Sequence, residues 1–237
     1  MSRYKDLADR VAGFCQQELT RLANPDDATA MAAYMKTEIP FYGVKKPQRT
    51  EIVRSLKKRY EISDIDTYTR VVEALWMLPH REEKYIAIQL AQSYPQLITL
   101  VSMALYERLI REGAWWDLVD VVAIRLVGVV LLNDRDRVRA SMDRWIGDKN
   151  LWIRRAAIIS QIKHKEKTDH CRLFSYCKRR SHETEFFIRK GIGWALREYS
   201  KTDPDRVSEF LVRNSDRLSP LSYREGARRL IKLGYDL

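Results

Sequence analysis

The sequence predicts an all-α protein, an α-solenoid of HEAT-like helical repeats with a concave basic groove. Three observations predict it. Apolar residues recur at helical spacing nearly throughout the chain. Gly and Pro are scarce, 9 and 7 in 237 residues, and fall where helices should start or stop. A related segment occurs three times at a fixed step of 35 residues in the C-terminal part. No alternating run with β-branched enrichment and hairpin punctuation occurs, so strands are not expected.

The elements follow in order. Asn24-Pro25-Asp26-Asp27 separates a first helix, about Tyr4 to Leu22, from a second, about Ala28 to Lys36. Lys46-Pro47-Gln48 opens a third, with Pro in its favoured first-turn position. Ser63-Asp64 and Asp66-Thr67 offer caps for a fourth, which should end at Leu78-Pro79. The first ~60 residues read as an N-terminal cap and first helical layers.

The repeat comes next. LWIRRAAII starts at Leu151, FFIRKGIGW at Phe186 and LSYREGARRL at Leu221. With Ile153, Ile188 and Tyr223 superimposed, the next residues are Arg154, Arg189 and Arg224. A small residue follows two further on: Ala156, Gly191 and Gly226. Stepping back reaches Val119, then the region of Ile86, with weaker matches. A period of about 35 to 45 residues made of two helices each is the signature of a HEAT-like solenoid, in which the second helix of each pair tends to line the concave face. The recurring Arg lies on that helix, so a groove for a long anion is expected. The competing reading is that these arginines form a solvated face or ion pairs between repeats. No linker or low-complexity tract interrupts the chain, and residues 1–237 read as one domain.

Composition points to the partner. The formal net charge is +11 and the pI about 9.6, which favours a polyanion, nucleic acid first and an acidic membrane surface second. Cys15, Cys171 and Cys177 are odd in number and lack CxxC spacing, so neither a disulfide framework nor a zinc site is expected. His80, His164, His170 and His182 form no metal-binding motif, and no metal or organic cofactor is expected. The N-terminus is amphipathic without a signal-peptide core, and no apolar run approaches the ~20 residues of a membrane span. A soluble cytoplasmic protein is the expectation.

Residues 113–122 read GAWWDLVDVV. One reading is structural: Asp117 as N-cap with Asp120 behind it at N3, Trp115 in the core and Trp116 packing on the previous helix. The other is functional. Trp116 and Asp120 are four apart and can project to one side, and a solenoid would place Arg154, Arg155 and Trp194 beside them. Tryptophans around a carboxylate suit a cation, and an adjacent Arg suits a phosphate.

Six segments carry a resemblance to a known family. They are AAYMKTEIPFYGVKKPQR (32–49), LWMLPHREEKYIA (75–87), WWDLVDVV (115–122), NLWIRRAAI (150–158), EFFIRKGIGWALREYSKTDPD (185–205) and LSPLSYRE (218–225). In order and spacing the chain resembles the AlkD-type DNA alkylation-repair glycosylases, bacterial HEAT-like-repeat enzymes, over nearly its whole length. The resemblance implies an active site of Trp116, Asp120 and Trp194. It implies that Arg155 contacts the DNA backbone and that Tyr34 lies at the DNA face. Arg154, Arg189, Arg197 and Arg224 are nucleic-acid-binding candidates by position. Gly191 and Gly193 depart from the family pattern and lie outside the inferred site.

The implied reaction is hydrolysis of the N-glycosidic bond of alkylated purines, particularly cationic 3-alkyladenine and 7-alkylguanine, in double-stranded DNA. The partner is duplex DNA containing such lesions and the acting species a cytoplasmic, nucleoid-associated monomer. A cationic purine is already a good leaving group, so no general acid is needed. Asp120 would stabilise the oxocarbenium-like sugar and orient or deprotonate water. Trp116 and Trp194 would flank the sugar or base. With no Lys standing as a Schiff-base nucleophile, a monofunctional glycosylase without lyase activity is expected, and the resemblance implies that it acts without a deep flipping pocket. The alternatives are a non-catalytic nucleic-acid-binding HEAT-like scaffold, against which Asp120 argues, and a protein–protein scaffold, against which the net charge argues.

Overall fold

Helix boundaries follow their caps. In the computed structural model, which describes residues 2–237 and side chains from Asp6 onward, α1 spans Ser2–Arg21. Helix α2 spans Pro25–Met35, because Asn24 Oδ1 accepts from the backbone N–H of Asp26 and Asp27, each at 3.1 Å, and Pro25 takes the first helical position. It therefore begins three residues before the expected Ala28. Helix α3 spans Lys46–Arg59 and uses Pro47 in its first turn, as expected. Asp64 caps α4 (Ile65–Trp76) through Thr67 N–H at 2.8 Å. Helix α5 is Arg81–Gln92, followed by 3₁₀ turns at Pro95–Leu97 and Leu100–Ser102.

The chain divides into two compact units, residues 1–105 and 106–237. In the first, α1 packs on α3 and α4, and α5 on α3 and α4. The loop between α2 and α3 is held by a buried carboxylate. Glu82, fully buried at the start of α5, accepts from the N–H groups of Tyr42 (3.1 Å), Gly43 (2.8 Å) and Val44 (3.0 Å). Glu83 accepts from the Tyr42 hydroxyl at 3.1 Å and from His80 N–H at 2.6 Å. Gly43 turns the loop at φ 83°, and a Cβ there would stand 2.1 Å from Asn24 O. The segments FYGV and HREE are thus two halves of one hydrogen-bonded structure.

The second unit holds α6 (Met103–Gly113, entering from the first), α7 (Trp116–Val122), a π-helical turn Ala123–Val127 and α8 (Gly128–Asn133). Then come α9 (Arg135–Trp145), α10 (Leu151–Ile159), α11 (His170–Arg180), α12 (Phe186–Tyr199), α13 (Pro204–Arg213) and α14 (Pro220–Lys232). Helix α10 packs on α7 and on α12, and α12 packs on α14. These are the helices that carry the 35-residue repeat. The intervening helices form a second layer. Arg111 of α6 bonds Asp148 just past α9 (2.6 Å), Asp143 of α9 bonds Arg172 of α11 (2.7 Å), and Phe174 of α11 stacks on Phe210 of α13 (4.5 Å). Among the described residues there is no strand, and the two-helix repeat is that of a HEAT-like solenoid. No described helix is long and apolar enough to cross a membrane.

Removing the Glu82 carboxylate leaves three N–H groups without their acceptor. Glu82→Ala is expected to cost about 3 kcal/mol or more in urea denaturation; a loss below about 1 kcal/mol would show that the loop does not depend on it.

Candidate active site

The site begins at a strained turn. Ala114 adopts φ 38°, a left-handed conformation unusual for a residue with a Cβ, and Trp115 is extended. The helix starts at Trp116, so Trp115 occupies the cap position, and its carbonyl accepts from Leu118 and Val119 N–H. This corrects the structural reading of GAWWDLVDVV. Asp117 lies inside the first turn rather than at the cap, and Asp120 is past N3. Its carboxylate is therefore not spent on the helix end. Trp115 is half-buried rather than core. Its ring packs against Trp152 (6.0 Å) and Phe187 (5.5 Å).

Asp120 reaches across to α10. Asn150 caps that helix through Trp152 N–H (2.8 Å) and so fixes the rotation of the helix that carries Arg155. The Arg155 Nε donates to Asp120 Oδ1 at 2.7 Å and its Nη2 to Oδ2 at 2.8 Å, a bidentate pair. Nη1 donates to Phe187 O at 2.5 Å. Both side chains are largely buried, 6% and 13% exposed. The guanidinium carbon also lies 6.0 Å from the Trp194 ring centre and 5.9 Å from that of Phe187. Burial pushes the Asp120 carboxyl above its ordinary range, the Arg155 guanidinium pulls it back, and nearby Asp117 adds to the upward push.

Asp120, Arg155 and Trp194 are thus brought together, and half-buried Trp116 lies one turn before Asp120 on the same face of α7. The remaining candidates are placed otherwise. Arg154 bonds Glu183 at 2.8 Å and the carbonyls of Asp148 and Lys149. Arg189 Nε donates to Glu183 O at 3.0 Å, and Arg197 pairs with Glu225. Arg224 is exposed. Tyr34 belongs to the first unit, 76% exposed on α2.

Arg154 thus makes an ion pair towards the next repeat, and one position after each of the aligned arginines runs a second register of inter-repeat contacts, from helix to helix. The contacting register is Asp120, Arg155, Lys190 and Glu225, successive at the same 35-residue step. Asp120 pairs with Arg155, and Lys190 with Glu225 at 2.9 Å. That spacing was present in the sequence as two pairs of opposite charge, Asp120 with Arg155 and Lys190 with Glu225. Gly191 belongs to the site rather than outside it: a Cβ there would stand 3.2 Å from Arg155 Nη1. A cavity of about 360 Å³, bordered among others by Lys163, Lys165, Tyr199 and Thr202, shares no residue with this cluster. Among the described residues no group of three or more His, Cys, Asp or Glu could hold a metal ion. Cys15 and Cys177 are buried and Cys171 exposed, all as free thiols.

These features define an all-helical repeat protein with a buried carboxylate–guanidinium centre flanked by tryptophan. The chain belongs to the AlkD-type DNA alkylation repair family, since the profile of the DNA alkylation repair enzymes matches residues 15–230. A structure described as a predicted DNA alkylation repair enzyme from Enterococcus faecalis is 33% identical, covering 89% of this chain and 97% of its own, with a TM-score of 0.82. The Streptococcus mutans protein smu.31 shares the fold at 17% identity and a TM-score of 0.58, over 85% of this chain and 98% of that one. So does the Pseudomonas fluorescens alkylpurine DNA glycosylase AlkC, solved on DNA containing an abasic site analogue, at 15% identity and a TM-score of 0.51, over 97% of this chain and 64% of that one. None of the curated proteins matches this chain.

Arg155→Leu strands a buried carboxylate, which costs about 3 kcal/mol or more at neutral pH. In the variant the folded-state pKa of Asp120 lies further above its unfolded value. Between those two values the native state keeps a proton that the unfolded chain has released, so the variant loses stability as pH rises. Thermal melts should therefore show the deficit against wild type small near pH 4 and full at pH 7; a deficit independent of pH would mean that Asp120 is not its source.

Proposed function

We propose that this protein is a monofunctional DNA glycosylase that hydrolyses the N-glycosidic bond of cationic N3- and N7-alkylated purines in duplex DNA. The observation that carries the reading is the Asp120 carboxylate, largely buried yet gripped by two nitrogens of Arg155, whose guanidinium in turn lies by the Trp194 ring. Family membership supplies the repair context.

An alkylated purine carries its own positive charge and leaves without protonation. The barrier then lies in the positive charge that develops on the sugar. Asp120 is the group placed to stabilise it. Burial pushes this carboxyl towards its protonated form, and the bidentate guanidinium favours the ionised form that the reaction needs. Each carboxylate oxygen has a lone pair left over from the Arg155 bonds, available to the sugar or to the attacking water. Trp116 and Trp194 border the nucleotide, exclude bulk water and offer ring faces to the cation. Arg155 also offsets the repulsion between Asp120 and an approaching DNA phosphate. Water adds to C1′, the neutral base departs, and the proton lost from water passes to Asp120 or to solvent.

One lysine does stand in the FFIRKGIGW segment. Lys190 pairs with Glu225 at 2.9 Å. A lysine engaged by a carboxylate is not free to attack a sugar, which supports the monofunctional reading.

Wild-type protein incubated with methylated duplex DNA is expected to release 3-methyladenine and 7-methylguanine and to form no borohydride-trapped adduct. Asp120→Asn should slow release on the order of 10²-fold or more. Duplex binding without release would establish the non-catalytic scaffold instead, and a fast Asp120→Asn would remove the carboxylate from the mechanism.

A further inference from the structure

Helix α12 presents one stripe away from the core. Lys190, Trp194 and Arg197 stand at i, i+4 and i+7, all only partly buried, while Ile188, Ile192, Ala195 and Leu196 face the interior. Glu225 of α14 lies over this stripe. Its Oε1 takes Lys190 Nζ at 2.9 Å and its Oε2 takes Arg197 Nη1. One carboxylate thus bridges two cations a turn to either side of Gly193. The bridge depends on that glycine, since a Cβ on residue 193 would stand 2.4 Å from Glu225 Cβ.

Packing does not require the bridge. The interface between α12 and α14 already has Ile192, Leu196, Ala227 and Leu230. Lys190, Arg197 and Glu225 are 37%, 25% and 18% exposed, and ion pairs that solvent still reaches contribute modest stability. The charges do not balance either, with two cations on one anion. On α14, Arg228 and Lys232 stand three and seven residues beyond Glu225 and are exposed, so the same face gains two more positive groups. A carboxylate and a phosphodiester offer the same pair of oxygens to such cations. Trp194, on the same stripe, borders Arg155, the partner of Asp120.

We propose that Lys190 and Arg197 form a binding subsite for a phosphate of duplex DNA, and that Glu225 occupies this subsite in the unbound protein. The inference rests on the reading of the protein as a duplex-DNA enzyme. DNA must displace Glu225 from at least one cation to gain the contact. Weakly held, undamaged DNA is thereby disfavoured.

The test measures affinity for an undamaged duplex across a salt series. Glu225→Gln is expected to bind roughly 3- to 10-fold tighter near 0.1 M salt, and log K against log salt should steepen by about one. Adding Lys190→Gln to that variant should abolish most of the gain, a non-additivity that diffuse electrostatics does not produce. Asp216→Asn, which removes an equal charge from an exposed turn, sets the size of the diffuse effect. Should Glu225→Gln melt far below wild type, the pair Lys190→Gln and Arg197→Gln carries the test, and must weaken binding and flatten the slope by about two. If Glu225→Gln shifts affinity no more than Asp216→Asn, or the lysine–arginine pair leaves the slope unchanged, the subsite is wrong while duplex binding stands. If wild type binds no duplex, the DNA reading fails and the subsite with it.

Discussion

The candidate site depends on how closely successive repeat helices approach. Helix α12 lies against α10 on one side and α14 on the other, and each side carries a glycine. A Cβ on Gly191 would press on Arg155, and one on Gly193 would overlap Glu225. Glycine inside a helix costs about 1 kcal/mol against alanine. Two within three residues are tolerated because the space they leave is filled by charged side chains. Without that space, Arg155 could not lie flat between Asp120 and Phe187, and Glu225 could not straddle a helical turn.

That spacing also solves an electrostatic problem. The ladder Asp120, Arg155, Lys190, Glu225 puts two cations on neighbouring helices. Each is drawn to an anion on its far side, Arg155 to Asp120 and Lys190 to Glu225. The two ends differ in burial. The Asp120 end is largely buried, so its carboxyl is pushed up, and its partner pulls it back. The Glu225 end is wetter, and its two cations hold the carboxyl below its ordinary range. One pairing scheme therefore yields both a largely buried ion pair and a more exposed one that an outside anion can reach.

Much of this was legible in the chain, unevenly. Caps and prolines located α3 and α4 because Asp64 and Pro47 act on their own turns. The start of α2 was misread because Pro25 and Asp26 look like a loop until Asn24 is seen to cap them. The repeat step was read correctly, but Arg154, Arg189 and Arg224 attracted the alignment as identical residues. The contacting positions are opposite in charge, and identity alone does not reveal them. Gly191 and Gly193 looked like departures of no consequence because a glycine's effect lies in the neighbour that it admits. The Asp120–Arg155 contact required knowing which side of each helix faces the next, and that depends on where α7 begins.

The helix bearing Asp120 departs from regular geometry on both sides of that residue. Before it, Ala114 is held in a left-handed conformation; after it, Ala123–Val127 winds as a π turn. Strained turns and π segments persist only where the surroundings hold them. Here the hold is identifiable. Gly128, directly after the π turn, meets the Ser160 carbonyl so closely that a Cβ would stand 2.4 Å from it, and its own carbonyl bonds buried His164 at 2.8 Å. The later part of the helix is thus registered on the end of α10, and its earlier part on Arg155 in the middle of the same helix. A regular α-helix advances 100° per residue, and the wider π turn alters the rotation between those two contacts. It lets one helix aim Asp120 at Arg155 and Gly128 at Ser160 together, which ties the orientation of the carboxylate to the packing of the repeat.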